Sequence, residues 1–324
     1  MTKTTKLKTL RKTTAAVLLG GIAAATMMTP LSASAADERF VLVSHAPDSD
    51  SWWNTIKNAV KAAGTDMDVS VEYRNPPTGD LADMARIVEQ AIASNPDGLI
   101  LTIADYDVLK KPLRKAKLKN IPVITINSGT HEQSEQLGAL LHVGQPEYDA
   151  GYGAGKKAKA DGVTSFACIN HYITNPASVE RCKGFADAIG VTLDGNMIDV
   201  GSDPTAIEKK VMAHLRQKPE TNAVLALGPT SAHPTIRALK KMHKSDDIYF
   251  GTFDVSDDIA KAIKSGEVKF AIDQQPYLQG YLPVVALTLY SRYGIIPSNN
   301  INSGPGFITK DNIAQVEKLA GEIR

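Results

Sequence analysis

The sequence predicts an α/β protein built as two doubly wound parallel-sheet domains. Apolar runs of four to six residues alternate with longer amphipathic segments, the pattern of buried parallel strands joined by crossover helices. The alternation runs through two successive halves, each long enough for its own core. Beyond the first 35 residues, the 324-residue chain shows no solenoid-length repeat or low-complexity tract.

Residues 1–35 read as a secretory signal peptide. Lys3, Lys6, Lys8, Arg11 and Lys12 form a basic start, Ala15 to Met28 is small and apolar, and Ala33-Ser34-Ala35 has the form of a cleavage site. The apolar stretch is short and rich in Ala, Gly and Thr for a membrane span. No Cys lies near the cleavage site to carry a lipid. The expected mature chain is therefore free in the periplasm. Five of the 36 basic residues and none of the 35 acidic ones precede Ala36, which leaves 31 basic against 35 acidic residues. A mildly acidic protein has no general pull toward nucleic acid or anionic lipid.

The first half begins with a strand at Phe40-Val41-Leu42-Val43 and a helix from Ser51 to Gly64. A strand at Val69 to Tyr73, a helix from about Asp80 to Ser94, a strand at Gly98 to Thr102 and a helix from about Asp105 to Leu118 follow. Pro122 to Ile126 is its last strand. The second half repeats the theme, with strands at Ser165 to Ile169, Met197 to Val200, Ala223 to Leu227, Ile248 to Phe253 and Val268 to Ile272. Pro and Gly cluster at Asn75 to Gly79, Gly144 to Pro146 and Ser303 to Gly306, marking turns or crossovers.

Open parallel sheets bind ligands beyond the carboxyl ends of their strands. The polar residues there are His45 and Asp50, Asp105, Asn127, Asn170 and His171, Asp254, and Gln274. Side chains that both donate and accept suit a ligand with several hydroxyls, since each buried hydroxyl needs a partner. Capping of the following helices is the other reading of any single position. Trp52-Trp53, the two indoles of the chain, are adjacent in a first helical turn. Neighbouring helical residues cannot both face one core patch, so one is expected to pack inward and the other to face the cleft. Cys168 and Cys182, the two cysteines, form a candidate disulfide in an oxidising compartment; two buried free thiols are the alternative.

Asp50-Ser51-Trp52-Trp53 after the first strand resembles the Asn-Pro-Phe-Phe region of ribose-type periplasmic sugar-binding proteins. Asn75-Pro76-Pro77, Pro96 to Ile100, Ile121 to Ile124, Arg181 to Phe185, Phe253-Asp254 and Asp273 to Pro276 extend the resemblance over nearly the whole mature chain. The resemblance implies the type I periplasmic binding protein fold, two lobes joined by a three-crossover hinge that close on a ligand. It implies lobes of 36–127 plus about 275–303, and of 128–274 plus about 304–324, with crossovers near Asn127, Gln274 and Ser303. It places Asp50, Trp52, Trp53, Asn75, Asp105, Asn127, Asp254 and Gln274 on ligand-contacting positions. Two departures matter. Val179 stands where ribose-type members carry a sugar-gripping arginine, which leaves Arg181 a structural role. Gly228-Pro229 replaces an Asn-Asp pair. His171 and Asn175 are candidates to compensate. Asn127-Ser128-Gly129 and Gln274 to Tyr281 resemble a simple-sugar or polyol subfamily.

The expected function is capture of a small neutral sugar or polyol for an inner-membrane ABC permease and its ATPase, by a monomer with no cofactor or metal. A ligand sensor for a chemoreceptor or kinase is the alternative. An enzyme is disfavoured: GxSxG and HExxH are absent, and Gly151 to Lys156 lacks the spacing of a phosphate loop and reads as close helix packing. A transcription regulator would need an amino-terminal helix-turn-helix where the signal peptide stands.

Overall fold

The computed structural model describes residues 38–324. The expected signal peptide lies outside the described residues. The chain begins with β1 (Arg39–Val43), α1 (Trp53–Met67), β2 (Ser70–Arg74), α2 (Leu81–Ala93), β3 (Gly98–Thr102), α3 (Tyr106–Leu118), β4 (Val123–Ile126), α4 (His131–Gln136) and β5 (Leu141–Gly144). It continues with α5 (Glu147–Ala160), β6 (Phe166–Asn170), α6 (Pro176–Ile189), β7 (Met197–Asp199), α7 (Pro204–Gln217), β8 (Ala223–Ala226) and α8 (Pro229–Lys241). It ends with β9 (Tyr249–Phe253), α9 (Asp257–Ser265), β10 (Phe270–Asp273), α10 (Pro276–Tyr293), β11 (Ile301–Asn302), β12 (Gly306–Ile308) and α11 (Ile313–Val316).

Two six-stranded sheets result, ordered β11-β5-β4-β3-β1-β2 and β12-β10-β9-β8-β6-β7. Pairing is parallel except where β12 returns against β10. Each sheet is covered on both faces. In the first lobe, Val41, Val43, Leu99 and Leu101 join Met84, Val88 and Leu113 on one face, while Phe40, Leu42, Ile100 and Ile124 join Ile56, Val60 and Leu287 on the other. The second lobe repeats this with one cluster around Ile169, Val224 and Phe250 and another around Phe166, Leu225 and Phe270. Burial on both faces is why the strands read as unbroken apolar runs.

The lobe boundary differs from the expectation at one place. The chain stays in the first sheet after Asn127, because β5 returns to pair with β4 through Ile124↔Leu141 and Ile126↔Val143. It crosses after Gly144, inside the Gly144–Pro146 turn, so 128–144 belongs to the first lobe. The four-residue Leu-His-Val-Gly strand carries no apolar run to announce itself. His142 is buried in it because its Nδ1 shares a 2.9 Å hydrogen bond with Thr125 Oγ1. The other two passages lie between Asp273 and Pro276 and between Asn302 and Gly306.

The glycine run of α5 is a helix-packing device. A methyl at Gly151 would overlap the Arg181 carbonyl, one at Gly155 would lie 2.6 Å from the Phe185 carbonyl, and one at Gly184 would overlap the Tyr148 carbonyl. Only bare backbones allow α5 and α6 to approach this closely. Cys168 in β6 and Cys182 in α6 are disulfide-bonded, with Cα atoms 5.8 Å apart, and tie the same helix to its sheet.

Candidate functional site

The carboxyl ends of both sheets face one polar cavity, with about 70 Å³ of enclosed space that opens to solvent. The first lobe supplies His45, Asp50, Trp52, Trp53 and Asn127. The second lobe supplies His171, Tyr172, Asn175, Ser178, Arg181, Leu227 to Thr230 at the start of α8, and Asp254, and Gln274 enters from a crossover.

Both indoles line the cavity. Trp53 is buried against the first-lobe core and Trp52 is half-buried, and their rings meet edge-to-face with centroids 5.2 Å apart. Asp50 turns the chain into α1 by accepting from Trp52 N at 3.2 Å, and burial raises its carboxyl above the usual range. Asn127 and Asp254 follow β4 and β9 with left-handed φ of 59° and 62°. Such backbones are uncommon outside glycine and most accessible to Asn and Asp.

A chain of amides links the crossovers to this cavity. Gln279 Nε2 donates to Ser303 Oγ at 2.9 Å, and Asn127 Nδ2 donates to the Oε1 atoms of Gln279 and Gln274 at 3.0 and 3.1 Å. Gln274 Nε2 then donates to Asp254 Oδ1 at 2.8 Å. The lobes also touch directly. Asn175 Nδ2 donates to Ser128 Oγ at 3.0 Å, and the His45 and Tyr172 rings lie 5.3 Å apart. These contacts bridge the two lobes beside the cavity.

Burial pushes Asp254 up to about 7, with Arg181 and the Gln274 hydrogen bond working the other way. Burial holds His45 down to about 3 and His171 down to about 4, helped by the charge of His171 and of Arg181 respectively. Both imidazoles are neutral near pH 7 and offer one donor and one acceptor each.

Three expected residues stand elsewhere, of which Asn170 accepts from Tyr172 N at 2.8 Å. Asp105 is not in the cavity wall; its carboxylate caps α3 by accepting from Val108 N at 3.0 Å. Asn75 braces the neighbouring loop, donating to Ala46 O and Asp48 Oδ1 at 2.9 Å. Conversely, Arg181 reaches the cavity wall although its role is that of a buried ion pair with Glu147. His45, placed at the rim by the strand-end rule, lines the cavity, whereas Tyr172, Ser178 and Thr230 were not among the candidates. Asn175, Ser178 and Arg181 recur every third residue on α6, a one-face spacing legible in the sequence. Tyr172 sits in a loop and Thr230 in the first turn of α8, where no periodicity points to them.

Two doubly wound lobes meeting over a polar, aromatic-flanked cavity define a class of two-lobed ligand receptors that close on a small molecule. The chain belongs to the periplasmic binding protein domain family, which matches residues 40–293. It is 25% identical over 263 residues to the xylose/arabinose-binding protein XylF of Sulfolobus acidocaldarius, covering 76% of this chain and 65% of that relative. It is 26% identical over 290 residues to the ribose import binding protein RbsB of Haemophilus influenzae, covering 86% and 92%. Among solved structures, a carbohydrate transporter protein of Acidothermus cellulolyticus in complex with myo-inositol superposes with a TM-score of 0.82 at 29% identity, over 88% of this chain and 98% of that one. No helix of the described residues is long and apolar enough to cross a membrane.

Proposed function

We propose that this protein is the periplasmic solute-binding component of an ABC transporter, enclosing one neutral sugar or polyol ring between its lobes. One observation carries the reading: a single cavity brings Asp50 from one lobe and Asp254 from the other beside two indoles. Carboxylates accept strongly from hydroxyls, and an indole face covers the C–H face of a ring. The names of the relatives, which bind pentoses, ribose or myo-inositol, support a ligand of this size and polarity. The loaded, closed form delivers the ligand to an inner-membrane permease and its ATPase, and the protein works as a monomer secreted through a cleaved leader.

Thermal melts of the protein against D-ribose, D-xylose, L-arabinose, D-galactose and myo-inositol test the reading. A ligand at about 100 times its dissociation constant adds about 2.7 kcal/mol of stability. A melting temperature unmoved by every neutral sugar and polyol in such a panel overturns the proposal.

A further inference from the structure

We propose that Glu147 is a positioning residue: it holds the Arg181 guanidinium away from the Asp254 carboxylate, so that Asp254 faces the cavity free to accept from a ligand. The inference rests on the reading of this cavity as the ligand site.

Arg181 and Asp254 share one cavity wall, and each is 6% exposed. A cation and a carboxylate desolvated side by side would ordinarily pair. No hydrogen bond or ion pair joins them among the described residues. Arg181 gives Nε to Glu147 Oε2 at 2.6 Å and Nη2 to Glu147 Oε1 at 2.8 Å, a bidentate fork. Its Nη1 donates to Leu227 O at 3.1 Å, and its plane lies over the Phe253 ring at 4.3 Å. Asp254 takes one donor, Gln274 Nε2, on Oδ1; its second oxygen has no hydrogen-bond partner among the described residues.

Glu147 reaches Arg181 because glycines bring α5 against α6, and Gln145 Nε2 steadies its carboxylate from 2.8 Å. Glu147 does not line the cavity. Without its charge, the near anion left to a guanidinium that cannot deprotonate is Asp254. That ion pair would take the oxygens otherwise open to a ligand.

The charged groups facing Asp254 are Arg181 on α6, Glu147 on α5 and Asp273 on β10, with His171 in the loop after β6. His171, held down to about 4, does not titrate between pH 6 and 8. Asp254, raised to about 7 by burial, does. In the wild type, affinity for a hydroxyl-bearing ligand therefore rises as pH passes through about 7 and Asp254 ionises.

The test uses calorimetric titration with whichever of D-ribose, D-xylose, L-arabinose, D-galactose and myo-inositol stabilises the wild type most. Glu147→Gln should lose on the order of ten- to a hundredfold in affinity and lose the pH dependence between 6 and 8, because an ion-paired Asp254 stays ionised throughout. Glu147→Gln with Arg181→Met removes the captor as well, and should regain both the affinity and its pH dependence. Wild-type binding by Glu147→Gln, or a folded double variant as weak and pH-flat as the single one, overturns the proposal. Carboxyl NMR titration of the wild-type protein decides independently of any variant's folding. An Asp254 midpoint near 7 supports an unpaired carboxylate, and one below the ordinary carboxylate range means Arg181 already holds it. If no panel sugar binds, the functional reading fails, while this titration still judges the role of Glu147.

Discussion

At the scale of single residues, two aspartates that look alike in the sequence do different work. Both follow a strand, and both match ligand-contacting positions of the resembled family. Asp105 spends its carboxylate on Val108 N at the start of α3, whereas Asp254 presents an oxygen to the cavity. Asp105→Ala should therefore lower stability by about 1 kcal/mol, the usual cost of a lost cap, and leave sugar affinity unchanged. Asp254→Ala should reduce affinity on the order of ten- to a hundredfold, the worth of a charged acceptor. Melts and calorimetric titrations of both variants check the assignment; equal affinity losses would return Asp105 to the site. The strand-end rule points to the rim where the cavity lies, but a carboxylate that can cap or bind reads the same in sequence. Only the direction of the side chain separates the two uses.

At the scale of elements, the strands with long apolar runs were legible to within a residue or two, as with β3 at Gly98–Thr102. Three short strands were not, although the equally short β7 was. β5, β11 and β12 have four, two and three residues, and their place is set by pairing partners distant in sequence. For β5 the Gly144–Pro146 turn held the right crossover, and the resemblance pointed instead to Asn127. Helix α6 shows how several constraints converge on one element. Asn175 caps it, Cys182 ties it to β6, glycines pull α5 against it, and Arg181 anchors that contact. The disulfide closes a loop with sequence separation 14, and a bridge of that span contributes about 3 kcal/mol in the chain-entropy model. Reduction, or Cys168→Ala with Cys182→Ala, should lower the unfolding free energy by about that amount in urea titrations with and without reductant. An unchanged midpoint would mean that the cross-link adds nothing to packing already in place.

At the scale of the whole molecule, buried neutral histidines make the fold sensitive to acid. Burial holds His45 and His142 down to about 3 and His171 to about 4, each below the ordinary 6.5. A depressed folded-state value means that this stability is complete above 6.5 and is lost as pH falls toward 4 and 3. Each fully coupled group contributes up to about 1.4 kcal/mol per pH unit in that window. Asp254 has the opposite sign: raised from 3.8 to about 7, its contribution is complete below 3.8 and lost as pH rises through 7. Three histidines outweigh it, so the melting temperature should fall steadily from pH 6.5 to 5. A level or rising melting temperature over that interval refutes the balance, and His142→Gln should flatten the slope without touching the cavity.

Fold class and family resemblance are legible in the sequence alone, as is the strand-end rim where the cavity lies. Each rests on local patterns: apolar runs buried on both faces, polar residues at strand ends, and short motifs along the chain. Packing in three dimensions sets which polar residues share the cavity, where the lobes divide, and that Arg181 and Asp254 share a cavity wall without a hydrogen bond between them. Those outcomes depend on side-chain direction and on partners far apart in sequence, such as Glu147 meeting Arg181 across two glycine-faced helices. No local pattern records a competition for one guanidinium, because its result is set by which carboxylate the packing brings within reach.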